Sequence, residues 1–193
     1  LEMNPEDSIS WHFRGRSKFF LKKYEEAIND FDKALEMNPE DSISWHFRGR
    51  SKFFLKQFEK AINDFDKALE INPEDSISWR CKGISKFSLE QYKEAINDLN
   101  KALKINPEDS ISWKWKGISK VSLEQYEGAI NDFDKALEIN PNHDPDIYKE
   151  ISFAKFEIGD YKNALNDITK SEKLFNKLNK ENNNLFLSKF LFD

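Results

Sequence analysis

Two arginines, Arg16 and Arg50, stand 34 residues apart, each with a histidine four positions before it (His12, His46) and a phenylalanine pair after it (Phe19 and Phe20; Phe53 and Phe54). A guanidinium fork accepts carboxylate or phosphate, and neighbouring rings add apolar contact, so this grouping can hold an acidic protein segment. The same slots recur twice more with other chemistry. Arg80 and Lys114 replace the histidines, Ile84 and Ile118 replace the arginines, and Phe87 repeats Phe19 and Phe53. Cys81 and Trp115 stand where the first copies have Phe13 and Phe47, and Ser88 and Ser122 where they have Phe20 and Phe54. At about 100° per residue the varying slots fall within an arc of roughly 100° on one helix face.

Other chemistry is not signalled. An enzyme needs a nucleophile with its base, a phosphate-cradling glycine loop or ligands at metal spacing, and none is legible, so neither catalysis nor a cofactor is expected. His12 and His46 occupy equivalent slots in successive copies, which stacked helices hold roughly 10 Å apart, too far to share one metal with bonds near 2 Å. They read as groove-lining donors or solvated side chains. Cys81 fills a slot otherwise held by aromatic rings and reads as a packing residue. Trp11, Trp45, Trp79 and Trp113 recur identically and read as structural, whereas Trp115 is unique to its copy and reads as a contact residue.

The elements carrying these residues follow from a fixed period. Prolines at 5, 39, 73, 107 and 141 lie 34 residues apart, and residues 1–34 differ from 35–68 only at Lys23/Gln57, Tyr24/Phe58 and Glu26/Lys60. A period of this length means a stack of one repeated unit. Within residues 8–41, Asp7 and Ser8 suit a helix N-cap, and residues 8–22 form helix A. Residues 24–37 place Ala27, Ile28, Phe31, Ala34 and Leu35 at helical spacing and stop at Asn38-Pro39, giving helix B. Gly15, Ala27 and Ala34 mark the crossing of the two helices. The expected units are 8–41, 42–75, 76–109, 110–144 and 145–178, with 1–7 the end of an upstream repeat and 179–193 a cap or tail. Because the chain starts inside a repeat, at least one further unit is expected upstream. The fifth unit is shifted by an insertion at 143–146, with Tyr148, Ser152, Tyr161 and Ala164 in the usual slots. Its second helix is expected to end near Leu178, followed by a polar break at 180–184 and a short apolar helix over 185–192. That helix either caps the last repeat or inserts into a partner.

An aromatic, a glycine four residues on, a tyrosine or phenylalanine opening helix B, two alanines seven apart and a closing proline recur in register. The chain resembles the tetratricopeptide repeat family over residues 1–178. The resemblance implies an all-α, right-handed superhelical solenoid of antiparallel helix pairs, with five complete repeats and a C-terminal capping segment. It also implies that helix A lines the concave surface, so the varying stripe faces a groove. Two slots depart from the family. Arg14, Arg48, Lys82 and Lys116 stand before the glycines and Lys18, Lys52, Lys86 and Lys120 after them, and these read as snorkelling stems whose charges reach water. The inter-helix slot often held by glycine carries Lys22, Lys56, Glu90 and Glu124, which suggests a tightened turn, since a left-handed residue there costs roughly 1–2 kcal/mol. No window of repeats reproduces the family's lysine and asparagine clamp for chaperone tails.

The net charge of −5 with 34% charged residues describes a mildly acidic chain and argues against coating nucleic acid through charge alone. No apolar run approaches membrane-spanning length. One cysteine is compatible with a reducing compartment, and a cytoplasmic location is the expectation. Three functions stay open. The first is a scaffold binding an extended segment, acidic toward the first units and apolar toward Trp115. The second is a self-associating structural module with no peptide ligand, and the third, the weakest given the acidity, is single-stranded nucleic-acid binding on the arginine and phenylalanine stripe. Against recognition stands the reading that helix A is basic only to pair with the acids of helix B.

Overall fold

The structure, a computed structural model, describes residues 7–141 and 145–191, with side chains as far as Lys177. The described residues form α1 (Ser8–Phe20), α2 (Tyr24–Met37), α3 (Ser42–Phe54), α4 (Phe58–Ile71), α5 (Ser76–Ser88), α6 (Tyr92–Ile105), α7 (Ser110–Val121), α8 (Tyr126–Ile139), α9 (Pro145–Glu157) and α10 (Tyr161–Leu191). They fall into two compact units, Leu1–Pro107 carrying α1–α6 and Glu108–Asp193 carrying α7–α10. In each, odd-numbered helices pair with the even-numbered helix that follows, and each pair stacks on the next.

The hairpins are built from recurring contacts. The aspartate before the helix is its N-cap: Asp41 Oδ1 accepts from the backbone N–H of Ile43 at 3.1 Å, and Asp7, Asp75 and Asp109 do the same. The indole N–H of Trp45 and of Trp79 donates to the carbonyl of Pro39 and of Pro73 at 2.8 Å, which fastens the turn between repeats. Gly15, Gly49 and Gly117 lie under fully buried Phe31, Phe65 and Phe133. A Cβ on Gly117 would stand 2.6 Å from the ring of Phe133, so only glycine allows this approach. In the last hairpin Ser152 fills the slot, its hydroxyl donating to the carbonyl of Ala164 at 2.8 Å.

The helix-A cations do not snorkel. Each second helix carries a buried aspartate at the end of its A-I-N-D or A-L-N-D run, and cations of the first helix close on it, two in the first four hairpins and Lys155 alone in the last. In the second hairpin, Arg48 Nη2 lies 2.7 Å and Lys52 Nζ 2.6 Å from Asp64, and Arg48 Nη1 reaches back 2.6 Å to Asp32 on α2. Arg14 and Lys18 meet Asp30 at 2.6 and 2.9 Å. Lys86, Lys120 and Lys155 meet Asp98, Asp132 and Asp167 at 2.6 Å. Burial pushes the Asp30 carboxyl up, and Arg14 with Lys18 more than offsets this, leaving it below its ordinary value. The cations remain inside because a buried carboxylate without them would carry an uncompensated charge.

The inter-helix turn is also different from the expectation. Helix α1 ends at Phe20, and Lys22, Lys56, Glu90 and Glu124 adopt φ of 58–60°, the left-handed conformation, as does Gly159 at 82°. The N–H of Lys23 donates to the carbonyl of Lys18 and that of Lys22 to Phe19, both at 2.9 Å. This is a Schellman closure, and it recurs at Gln57/Lys56, Gln91/Glu90, Gln125/Glu124 and Asp160/Gly159. Satisfying the last helical carbonyls outweighs the Cβ penalty.

Residues 180–184 do not break the last helix: α10 runs 31 residues, about 46 Å, against about 20 Å for α9. The segment holds no proline or glycine, and asparagine costs only a few tenths of a kcal/mol in a helix already nucleated. The sequence expectation of a separate cap over 185–192 is therefore replaced by a continuous helix to Leu191, past the end of its partner. The contacts of that segment, the upstream residues 1–6 and residues 143–144 of the insertion at 143–146 lie outside the described residues.

Candidate functional site

Successive A helices of the first unit, α1, α3 and α5, touch one another. Along each, positions one helical turn apart share a face, Ile9, Phe13, Arg16 and Phe20 on α1, Ile43, Phe47, Arg50 and Phe54 on α3, and Ile77, Cys81, Ile84 and Ser88 on α5, with Phe47 buried in the seam. Phe20 is 65% exposed and Phe54 48%, large values for apolar side chains. The isoleucines Ile9, Ile43 and Ile77 are exposed as well. Being constant, they escaped a search for what differs between repeats; the signal that could have found them is their place one turn before the varying aromatic.

Arg16 and Arg50 lean into the seam between α1 and α3. The Arg16 guanidinium carbon lies 5.8 Å from the centre of the Phe13 ring and 5.1 Å from that of Phe47, and Arg50 lies 4.7 Å from Phe19 and 5.4 Å from Phe47. Neither forms an ion pair with a carboxylate among the described residues. Their role thus differs from that of Arg14 and Arg48, which are committed to buried aspartates, and pairing with helix B does not account for them. Phe54 stacks on Tyr24 with ring centres 4.9 Å apart, and Phe53 packs on Phe58 at 5.5 Å.

Other sequence-selected residues lie deeper. Phe19 is buried against Phe47, and His12 and His46 are buried in the joint between repeats, His46 at the edge of a cavity. His12 Nδ1 is 2.7 Å from Ser44 Oγ and 3.1 Å from Asp41, and Ser44 Oγ donates to Asp41 Oδ2 at 2.5 Å. His46, Ser78 and Asp75 repeat the arrangement, with distances of 2.7 Å from histidine to serine and 2.5 Å from serine to aspartate. The serine spends its only proton on the aspartate, so the imidazole N–H donates to the serine oxygen. That is the reverse of a nucleophile with its base, and it fits a structural joint. Burial pushes the His46 imidazole down to about 4, with Arg50 and Arg80 adding to the effect and Asp75 opposing it. Burial pushes the Asp41 carboxyl up, but hydrogen bonds from His12 and Ser44 bring it down to about 2.

Arg80, Ile84 and Phe87 on α5 are half-buried, and burial pushes the Cys81 thiol up, which keeps it protonated as a packing residue. In the second unit Lys114, Trp115 and Ile118 are half-buried on α7. Trp115 and Lys114, with Ile111, Ala136 and Ile147, line a cavity of 210 Å³. The same repeat position in the first unit is a cavity of 300 Å³ lined by Ile43, His46, Phe47, Arg50, Asp75 and Ile77. One position thus presents Lys114 and Trp115 in one unit and Arg50 with Asp75 in the other. Among the described residues no group of three His, Cys, Asp or Glu side chains is placed to hold a metal ion.

Comparison with known proteins agrees with this geometry. Residues 110–143 match the family described as tetratricopeptide repeat, and residues 21–102 match the family described as anaphase-promoting complex, cyclosome, subunit 3. The chain belongs to the tetratricopeptide repeat family. No curated protein matches the sequence. Among solved structures, MamA shares 20% identity at a TM-score of 0.80, with 86% of this chain and 96% of that one covered. MamA from Desulfovibrio magneticus RS-1 shares 21% at 0.82, with 88% and 96% covered. YrrB, described as a TPR protein with an unusual peptide-binding site, shares 22% at 0.75, with 89% and 88% covered. At these identities the likeness shows the fold: an all-α array of tetratricopeptide helix pairs. Such repeats are protein-interaction scaffolds.

Proposed function

We propose that the A-helix face of the first unit binds an extended, acidic segment of another protein. The observation that carries this reading is the pair Arg16 and Arg50, held on phenylalanine rings, free of carboxylate partners among the described residues and bordered by exposed Phe20 and Phe54. A cation on a ring face keeps its N–H edges available, and exposed rings supply apolar area to a segment laid across them. The peptide-binding description of YrrB supports the reading by likeness of fold. The test is R16E/R50E with an acidic, phenylalanine-containing peptide followed by fluorescence anisotropy. Binding should be lost while helicity is kept, and raised salt should weaken binding to the parent, since accessible charges are screened over about 8 Å at physiological ionic strength. Binding that survives the reversal overturns the reading.

Self-association is the second reading. Phe156, Tyr161 and Leu165 on α9 and α10 are exposed and offer apolar area to a second copy. Sedimentation over a wide concentration range tests it, and a strict monomer at high concentration would exclude it.

A further inference from the structure

We propose that the seam between α1 and α3 is a receptor for a phosphorylated side chain, with Arg16 and Arg50 taking one phosphate between them. The proposal rests on the peptide-binding reading above and narrows its ligand. Both guanidinium carbons lie close to one ring, Arg16 at 5.1 Å and Arg50 at 5.4 Å from the centre of Phe47, so they are at most about 10.5 Å apart, the sum of the two distances. Additional rings brace them from outside, Phe13 beside Arg16 and Phe19 beside Arg50. Two like charges thus pack on one ring, and neither is paired with a carboxylate among the described residues. Asp75 lines the cavity beside Arg50 without pairing with it, its oxygens accepting from Ser78 Oγ at 2.5 Å and from the N–H of Ile77 at 3.0 Å.

The charge and oxygen count favour a phosphate monoester over a carboxylate. A phosphate carries close to two negative charges at neutral pH and three acceptor oxygens, enough to engage two guanidinium forks at once, whereas one carboxylate offers two oxygens and fills a single fork. Neutralising both arginines with carboxylates needs two acidic side chains placed independently. The partner is a peptide rather than a nucleic acid because the slot of Arg16 and Arg50 carries no guanidinium in the next repeat. At the equivalent position α5 has Ile84, and at the Phe20 and Phe54 position it has Ser88, so a second phosphate one repeat along finds no matching guanidinium in the stripe. A single-stranded nucleic acid requires a charged groove that follows its backbone.

A short fluorescein-labelled peptide alternating glutamate and phenylalanine around one central serine supplies the test, in phosphorylated and unphosphorylated forms, read by anisotropy against the full chain. The phosphorylated form should bind at least about tenfold more tightly, R16Q and R50Q should each remove most of that difference, and the double variant all of it. Free phosphoserine should displace the peptide from the parent protein, a measurement independent of whether the variants fold. Equal binding of the two forms overturns the phosphate receptor and leaves the acidic-segment reading standing; no binding of either form overturns both. Oligouridylate bound as tightly as the phosphopeptide at physiological salt overturns the assignment to a protein partner.

Discussion

Replacing Lys22, Lys56, Glu90 and Glu124 with glycine should stabilise the protein, although nothing in their exposed side chains is improved by the change. Each sits at φ near 60° in a Schellman closure whose hydrogen bonds are backbone to backbone and survive the substitution. A residue with a Cβ pays roughly 1–2 kcal/mol in this conformation. Glycine removes that cost but adds about 0.4–1 kcal/mol of unfolded-chain entropy. The net gain is about 0.5–1 kcal/mol per turn, and with one site per hairpin the four add to roughly 3 kcal/mol. For a chain of this size that corresponds to a rise in Tm of roughly 6–12 °C. Gly159 is the control: a Cβ there meets nothing within 4 Å, so Gly159→Ala isolates backbone strain and should cost about 1 kcal/mol. Urea and thermal unfolding followed by circular dichroism measure both. A four-glycine variant that melts at or below the parent, or a neutral Gly159→Ala, refutes the reasoning.

Gly117→Ala should destabilise by about 1–3 kcal/mol in a urea titration, because the added methyl meets Phe133 at 2.6 Å and the ring is fully buried. Asp64→Ala should cost about 3–5 kcal/mol by leaving Arg48 and Lys52 confined without their carboxylate. Asp30→Ala should cost less, since the Arg14 side chain is 34% exposed against 14% for Arg48 and can turn to water. Acid should loosen the joint at His46: its folded value of about 4 lies below the unfolded value of about 6.5, so the unfolded chain binds the proton first and stability is lost as pH falls between the two. The loss is on the order of 2 kcal/mol at pH 5 relative to pH 7, and His46→Gln should flatten that part of the pH profile of the urea midpoint.

The 34-residue period, the helix pairs, the N-cap aspartates and the close approach at glycine were all legible in the chain, because each depends on local spacing or on a residue whose size permits one contact. The varying stripe was legible too, at the positions of Phe13, Arg16 and Phe20 and their equivalents, since helical periodicity places them on one face. What a side chain does on that face was not. Arg14 and Arg16 are two residues apart with the same chemistry, yet one closes on a buried aspartate sixteen residues away and the other rests on rings of two helices; only the packing of α2 and α3 separates them. His12 and His46 read as groove donors, and the stacking of the next repeat buries them against its N-cap, a contact spanning thirty-two positions. The left-handed turns carried no glycine signal, because the closure is favoured by carbonyls that the lysine and glutamate side chains do not touch. Sequence set the repeat and its hydrophobic faces through short-range geometry, whereas tertiary structure decided which charges are spent inside, since that depends on which aspartate arrives from another helix.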